Sequence, residues 1–312
     1  MFGGKTARGV PYARYVHIWH QVKNSCRQPS SANRKNGADM STFDVYGMTD
    51  KLSNAITDVI VTRLEARGKH PLFQKMMHEY LDAMHIDTAK SALDLGCGTG
   101  VATRGIAQRP NFTGTLTGVD LSPHLIDVAR RLSLEDGVSD RVQFRSGDTR
   151  SLDIPDQSYD AVVAHTLVSH VENPLEVVKE AARMVKRGGM VGIFDGDYAS
   201  MTFSHENSDV GREYEDAIHK AIITNPRVMR GMPRMLADAG LELLRAFPNV
   251  IAEVGKADFW TSAIESFRKL VPQSGVLSSE QINAWADGRI KDSENGVFFG
   301  ACNYYGYVAR RR

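Results

Sequence analysis

The chain is 312 residues long, 42% hydrophobic and 24% charged, enough to bury a full core in one large domain with attachments. No apolar run approaches the ~20 residues of a membrane span, and three scattered cysteines, Cys26, Cys97 and Cys302, suggest neither a disulfide framework nor a paired-cysteine metal site, which fits a reducing, cytoplasmic setting. The net charge of +1 is unevenly held: residues 1–40 carry seven Lys or Arg against Asp39 alone (+6), leaving 31 basic and 36 acidic residues (−5) behind them, and a body of that sign offers no footprint for a nucleic-acid backbone.

Residues 1–40 lack periodicity and contain Gly3, Gly4, Pro29 and a polar run at 33–37, so they read as a disordered basic leader. An Arg-rich, acid-poor stretch also fits an organellar targeting peptide, with Met40 as an alternative start. From Thr49, a possible N-cap, Leu52, Ala55, Ile56, Val59, Ile60 and Leu64 recur at helical spacing up to Gly68. After Pro71 a second amphipathic helix puts Leu72, Phe73, Met76, Met77, Tyr80, Leu81 and Met84 on one face.

The run Ala92-Leu93-Asp94-Leu95-Gly96-Cys97-Gly98-Thr99-Gly100 follows. It reads as an apolar strand with an acid in its second half, then a glycine at every second position, and a helix over 101–107. Glycine tolerates positive φ and has no Cβ, so such a loop brings backbone close to a bulky, nucleotide-like ligand in a doubly wound α/β fold. A dinucleotide fingerprint spaces its glycines as GxGxxG; here the spacing is GxGxG. In chain order there follow a strand ending in Asp120, a strand signal at Val142 to Phe144 before Gly147-Asp148-Thr149, a buried strand at 159–165, a helix at 176–185 before Gly188-Gly189, and a strand at 190–194.

At these residues the chain resembles the class I S-adenosylmethionine (SAM)-dependent methyltransferases, and within them the small-molecule enzymes related to the quinone C-methyltransferases. The resemblance covers about residues 70–250. It departs from the usual pattern at Arg187, where the family has Pro before the paired glycines. The fold it implies is an α/β, doubly wound, Rossmann-like seven-stranded sheet with its last strand antiparallel. An N-terminal helical lid occupies 41–88, a core runs over 89–312, and helical insertions near 201–225 and 255–292 lie on the acceptor side. The resemblance also implies SAM as cofactor and S-adenosylhomocysteine (SAH) as product. Asp94, Gly96, Cys97, Gly98 and Gly100 would form the loop around it, Asp120 with Leu121 would hold the ribose, and Gly147, Asp148 and Thr149 would lie at the adenine. Tyr46 of the lid would lie near the sulfonium or methionine tail.

Beyond the fifth strand, 234–244 resembles the helix before strand six, and 297–308 the last strand. Between them 256–271 is an apolar-periodic helix, and Ser278 to Gln281 is a capping box opening another. With a segment at 201–225, these are placed to roof an apolar acceptor cavity or, equally, to form a homo-oligomer interface. Methyl transfer needs positioning, and a base where the acceptor is a phenol, amine or carbon acid. His165 at the end of strand four and His170 are both candidate bases, with His165 first for SAM contact, His170 first for proton abstraction and Glu172 nearby; simple packing is the competing reading for both histidines. Tyr198, Phe203 and Tyr214 suit an acceptor pocket or the core equally. Asp195 and Asp197 invite a metal, but the expectation is that they face apart and that none is required. The Ala164-His165-Thr166-Leu167 turn lacks the Pro-Pro motif of enzymes that methylate exocyclic amines of bases. The reading is therefore an enzyme acting on a small, partly apolar molecule at O, N or C; the alternative is a non-catalytic SAM-binding scaffold.

Overall fold

The computed structural model describes residues 44–312; the basic leader and Cys26 lie outside them. Helix α1 (Asn54–Lys69) starts later than Thr49, because the chain turns over 45–52 and Ser53 takes the N-cap position. Helix α2 (Pro71–Ala83) opens on a proline, which has no amide hydrogen to leave unsatisfied at a helix start. Then come β1 (Ser91–Leu95), α3 (Val101–Ala107), β2 (Thr115–Asp120), α4 (Pro123–Glu135), β3 (Val142–Ser146), β4 (Tyr159–His165) and α5 (Pro174–Met184).

Strand β5 (Val185–Phe203) is much longer than the segment 190–194, running 19 residues through Asp195 and Asp197. Helix α6 (Ser208–Ile222) lies in the 201–225 segment. Helix α7 (Val228–Asp238) precedes β6 (Leu241–Gly255), so 234–244 is half helix and half strand. Pro233 falls inside α7 yet breaks nothing, sitting in its second turn. Helix α8 (Phe259–Leu270), helix α9 (Ser279–Glu294), opened by the expected capping box, and β7 (Phe298–Arg311) complete the chain.

The seven strands order as β3-β2-β1-β4-β5-β7-β6. All neighbours are parallel except the pairs with β7, which runs against both β5 and β6. The order reverses between β1 and β4, so the loops leaving these strands diverge and open a crevice beyond their carboxyl ends.

Strand periodicity divides the core. Leu93, Leu95, Val162, Ala164, Val191 and Ile193 pack on α5 and α7. The alternate residues Ala92, Ala161, Val163 and Phe194 face the lid helices together with α3, α4 and α8. Asp94 shares its face with Ala92, and His165 with Val163, so both turn toward the lid. Among the described residues no helix is long and apolar enough to cross a membrane.

Candidate active site

The turn after β1 is built from left-handed backbone: Gly96, Gly98 and Gly100 have φ of 65°, 54° and 80°. A Cβ on Gly96 would stand 2.5 Å from Leu167 Cδ1 after β4, so the glycine lets two loops of the crevice touch. Cys97 is buried beneath the turn, its amide donating to Val119 at 3.0 Å. Asp120, at the tip of β2, accepts from Gly98 N at 2.9 Å and Ser122 N at 3.0 Å. The ribose candidate thus also fixes the glycine turn, while Leu121 beside it is exposed. Gly147 donates to Asp120 O at 2.9 Å and Thr149 is buried. Asp148 lies in the same loop, its carboxylate held below its ordinary pKa by Arg150 at 2.7 Å.

Asp94 is fully buried. Its Oδ2 accepts from Thr103 Oγ1 at 2.6 Å, while Oδ1 has no partner. Burial, opposed by the Thr103 hydrogen bonds, lifts the carboxyl to about 7. His165 is also sealed: it stacks on Phe194 at 4.8 Å, meets Phe73 edge-on at 5.3 Å, and its Nδ1 lies 3.0 Å from the Tyr80 hydroxyl, with Nε2 unpartnered. Burial first, and the charge of Arg67 second, lower it to about 3. Such a ring stays neutral and suits packing rather than proton abstraction. Thr166, next along, takes a left-handed φ of 57°, a conformation disfavoured for a β-branched residue, and accepts from Arg67 Nη2 at 2.8 Å.

His170 is different. Its Nδ1 lies 3.0 Å from Asp44 Oδ2, and that carboxylate also accepts from Tyr46 N, Thr224 N and Thr224 Oγ1. A carboxylate can only accept, so Nδ1 donates and the lone pair of neutral His170 is left on Nε2. Burial pulls its pKa down, but the charge and hydrogen bond of Asp44 outweigh this and raise it overall. Tyr46 packs on the same ring at 4.9 Å and Tyr198 at 6.1 Å. Glu172 is exposed and faces Arg150 at 3.6 Å, away from this group.

Asp195 and Asp197 stand two residues apart on β5, which puts them on one face rather than facing apart; that expectation misread the strand period. They are nonetheless engaged separately: Asp195 accepts from Ser169 N at 3.0 Å and Gly196 N at 2.8 Å, and Asp197 takes Arg230 at 2.9 Å. Phe203 and Tyr214 lie in the core with Trp260 and Trp285.

Four polar residues around this crevice carried no sequence signal. Asp44 is 126 residues from His170. Glu65 of α1 accepts from Thr99 at 2.6 Å and Arg104 at 2.6 Å, pinning α1 to the glycine turn. Arg63 and Arg67 project from the same helix into the interior.

The sheet order, the single antiparallel strand and the glycine turn at the switch point define the class I methyltransferase fold. Residues 93–193 match the family model described as Methyltransferase domain. It is 28% identical over 232 residues to an uncharacterized 37.1 kDa protein in a Streptomyces fradiae transposon, covering 74% of this chain and 65% of that one. It is 29% identical over 182 residues to sterol 24-C-methyltransferase ERG6A of Gibberella zeae, covering 56% and 46%. The chain thus spans about half to two-thirds of the length of these relatives. Among solved structures, the (4+2)-cyclase SpnF superposes with a TM-score of 0.57 at 16% identity, over 86% of this chain and 97% of that chain. YcgJ of Bacillus subtilis gives 0.50 at 16%, over 76% and 98%. Both likenesses are of fold.

Proposed function

We propose that this protein transfers the methyl group of SAM to an O, N or C atom of a small, partly apolar molecule. The observation that carries this reading is the unpartnered Asp94 Oδ1 sealed beneath a turn of three left-handed glycines, with Asp120 at the next strand tip. A buried acceptor without a donor costs free energy unless a ligand completes it, and the amino and hydroxyl groups of an adenosyl-amino-acid are donors of that kind. The residues fit the cofactor: Asp120 would take the ribose, Asp148 the adenine amine, and the backbone of residues 96–100 the methionine side, with Tyr46 and His165 nearby. When bound, SAM supplies an electrophilic methyl on a sulfonium, so the chain need only orient the acceptor, exclude water and accept a proton. His170, oriented by Asp44, is the group suited to accept it at Nε2, contributing roughly 10²- to 10⁴-fold. Asp44 acts as a positioning residue. The aromatic side chains of Tyr46, Tyr198 and Tyr304 suit an acceptor with apolar surface, as do the sterols named for the Gibberella zeae relative.

Calorimetric titration with SAH tests this directly. The wild-type chain should bind, and Asp120→Ala should weaken binding by about 1.5–3 kcal/mol through loss of charge-assisted hydrogen bonds. Unchanged affinity refutes the ribose assignment, and no binding to the wild type refutes the function.

A further inference from the structure

Buried arginines elsewhere in the body are answered by carboxylates. Arg104 sits between Glu65 at 2.6 Å and Asp136 at 2.5 Å, and Arg289 meets Asp292 at 2.8 Å. Arg63 and Arg67 are not so answered. Among the described residues their side-chain acceptors are two neutral hydroxyls, Ser262 Oγ at 2.7 Å for Arg63 and Thr166 Oγ1 at 2.8 Å for Arg67. Each guanidinium lies over an aromatic face, Arg63 over Phe259 at 4.8 Å and Arg67 over Phe73 at 4.9 Å, which leaves its edge, where the N–H groups point, for another partner.

Four residues apart on α1, the two cations share one helix face and repel. Both lie within electrostatic reach of Tyr46, Tyr198 and Tyr304. Of the nearby acids, Asp44 is engaged by His170 and Thr224, and Asp195, whose charge favours the charged form of Arg67, by backbone amides; neither carboxylate is hydrogen-bonded to either guanidinium. A sulfonium cofactor would add positive charge to this side of the crevice. A pair of guanidiniums, one buried and one half-buried, with no carboxylate hydrogen-bonded to either is suited to receive an oxyanion.

We propose that Arg63 and Arg67 form an anion-binding fork for the methyl acceptor, which carries a carboxylate or phosphate on the lid side and rests its apolar part among Phe259, Tyr198 and Tyr304. The proposal rests on the methyltransferase reading and names the substrate class: a small amphipathic anion rather than a neutral lipid. Arg63, between Ser262 of α8 and the tyrosines, belongs to the acceptor; Arg67, bonded to the turn after β4, bridges acceptor and cofactor sides.

The test uses the full chain saturated with SAH, probed by thermal shift and calorimetry with benzoate, phenyl phosphate and neutral benzamide. Benzoate or phenyl phosphate should bind at least tenfold more tightly than benzamide, and whichever is favoured distinguishes carboxylate from phosphate. Arg63→Met should remove that preference while SAH affinity stays within twofold, and Arg63→Lys, a point charge without the planar fork, should keep part of it. Three results overturn the proposal: no anion preferred over benzamide, a preference that survives both Arg63→Met and Arg67→Met, or a loss of SAH affinity in Arg63→Met that shows the methionine carboxylate to be the anion held. Should Arg63→Met fail to fold, the Arg63→Lys comparison carries the test, full retention of the preference with both probes counting against it. Failure of the wild type to bind SAH is a different outcome and refutes the methyltransferase reading itself.

Discussion

Replacing His165 by asparagine tests whether the floor of the site holds a neutral imidazole. The ring is enclosed by Phe194 at 4.8 Å and Phe73 at 5.3 Å, and the Tyr80 hydroxyl at 3.0 Å takes Nδ1. Burial, then the charge of Arg67, hold it near a pKa of about 3, whereas an unfolded histidine titrates near ~6.5. Because the folded value is the lower one, the unfolded chain takes up the proton first as pH falls. The stability owed to this ring is whole above ~6.5 and is lost progressively toward pH ~3. From pH 7 to pH 5 the unfolded chain passes through ~1.5 pH units of uptake at ~1.4 kcal/mol each, a loss of about 2 kcal/mol. Urea unfolding of the wild type and His165→Asn at both pH values measures it. The asparagine variant suffers a pH-independent packing loss, so the stability advantage of the wild type should shrink by about 2 kcal/mol at pH 5. The comparison cancels Asp94, which acts oppositely: its carboxyl, raised to about 7, costs stability as pH rises through the range below 7. An advantage unchanged between pH 7 and 5 would refute the burial argument and return His165 to the list of proton acceptors.

Asp44→Asn removes the charge that raises His170, so the acidic limb of the turnover profile should move to lower pH and the rate should fall by up to roughly 10²-fold. Single-turnover methyl transfer measured across pH checks this, and an unmoved limb would take His170 out of the chemistry. Gly96→Ala should cost SAH at least tenfold in affinity by calorimetry, because a Cβ at φ 65° would stand 2.5 Å from Leu167. Gly137→Ala, with a φ of 69° but open space around it, is its control and should show only the ~1–2 kcal/mol of left-handed strain with SAH binding intact.

Local pattern made much of the fold legible. The glycine spacing after β1, the acid ending β2 and the apolar run of β4 are features of short windows, and each element formed where its window lies. The acceptor side was less legible. Strand β6 leaves Leu243, Leu244, Val250 and Val254 exposed, so it has no clean alternation to read, and its 15 residues are fixed by pairing with β7 instead. In the same way β5 extends past 194 because β7 continues to pair with it out to Phe203. The polar residues of the lid were invisible for another reason. A helical wheel of α1 registers Ile56, Val59 and Ile60, and treats Arg63, Glu65 and Arg67 as solvent side; only the tertiary position of the helix over the glycine turn puts them inside. Asp44 and His170 meet across 126 residues, a distance no window spans.

The parity of two strands explains why the site depends on its lid. Asp94 and His165 occupy alternate positions from Leu93 and Ala164, so the packing on α5 and α7 that anchors β1 and β4 forces both polar groups to the opposite face. That face is closed by Phe73 and Tyr80 of α2 and, over the glycine turn, by α1, pinned there through Glu65 and Thr99. The raised pKa of Asp94 and the lowered one of His165 therefore follow from the packing over this face, since each is caused first by burial. An opening of α1 and α2 wide enough to admit a cofactor would let water reach both groups and return both toward their ordinary values, ionising Asp94 at neutral pH.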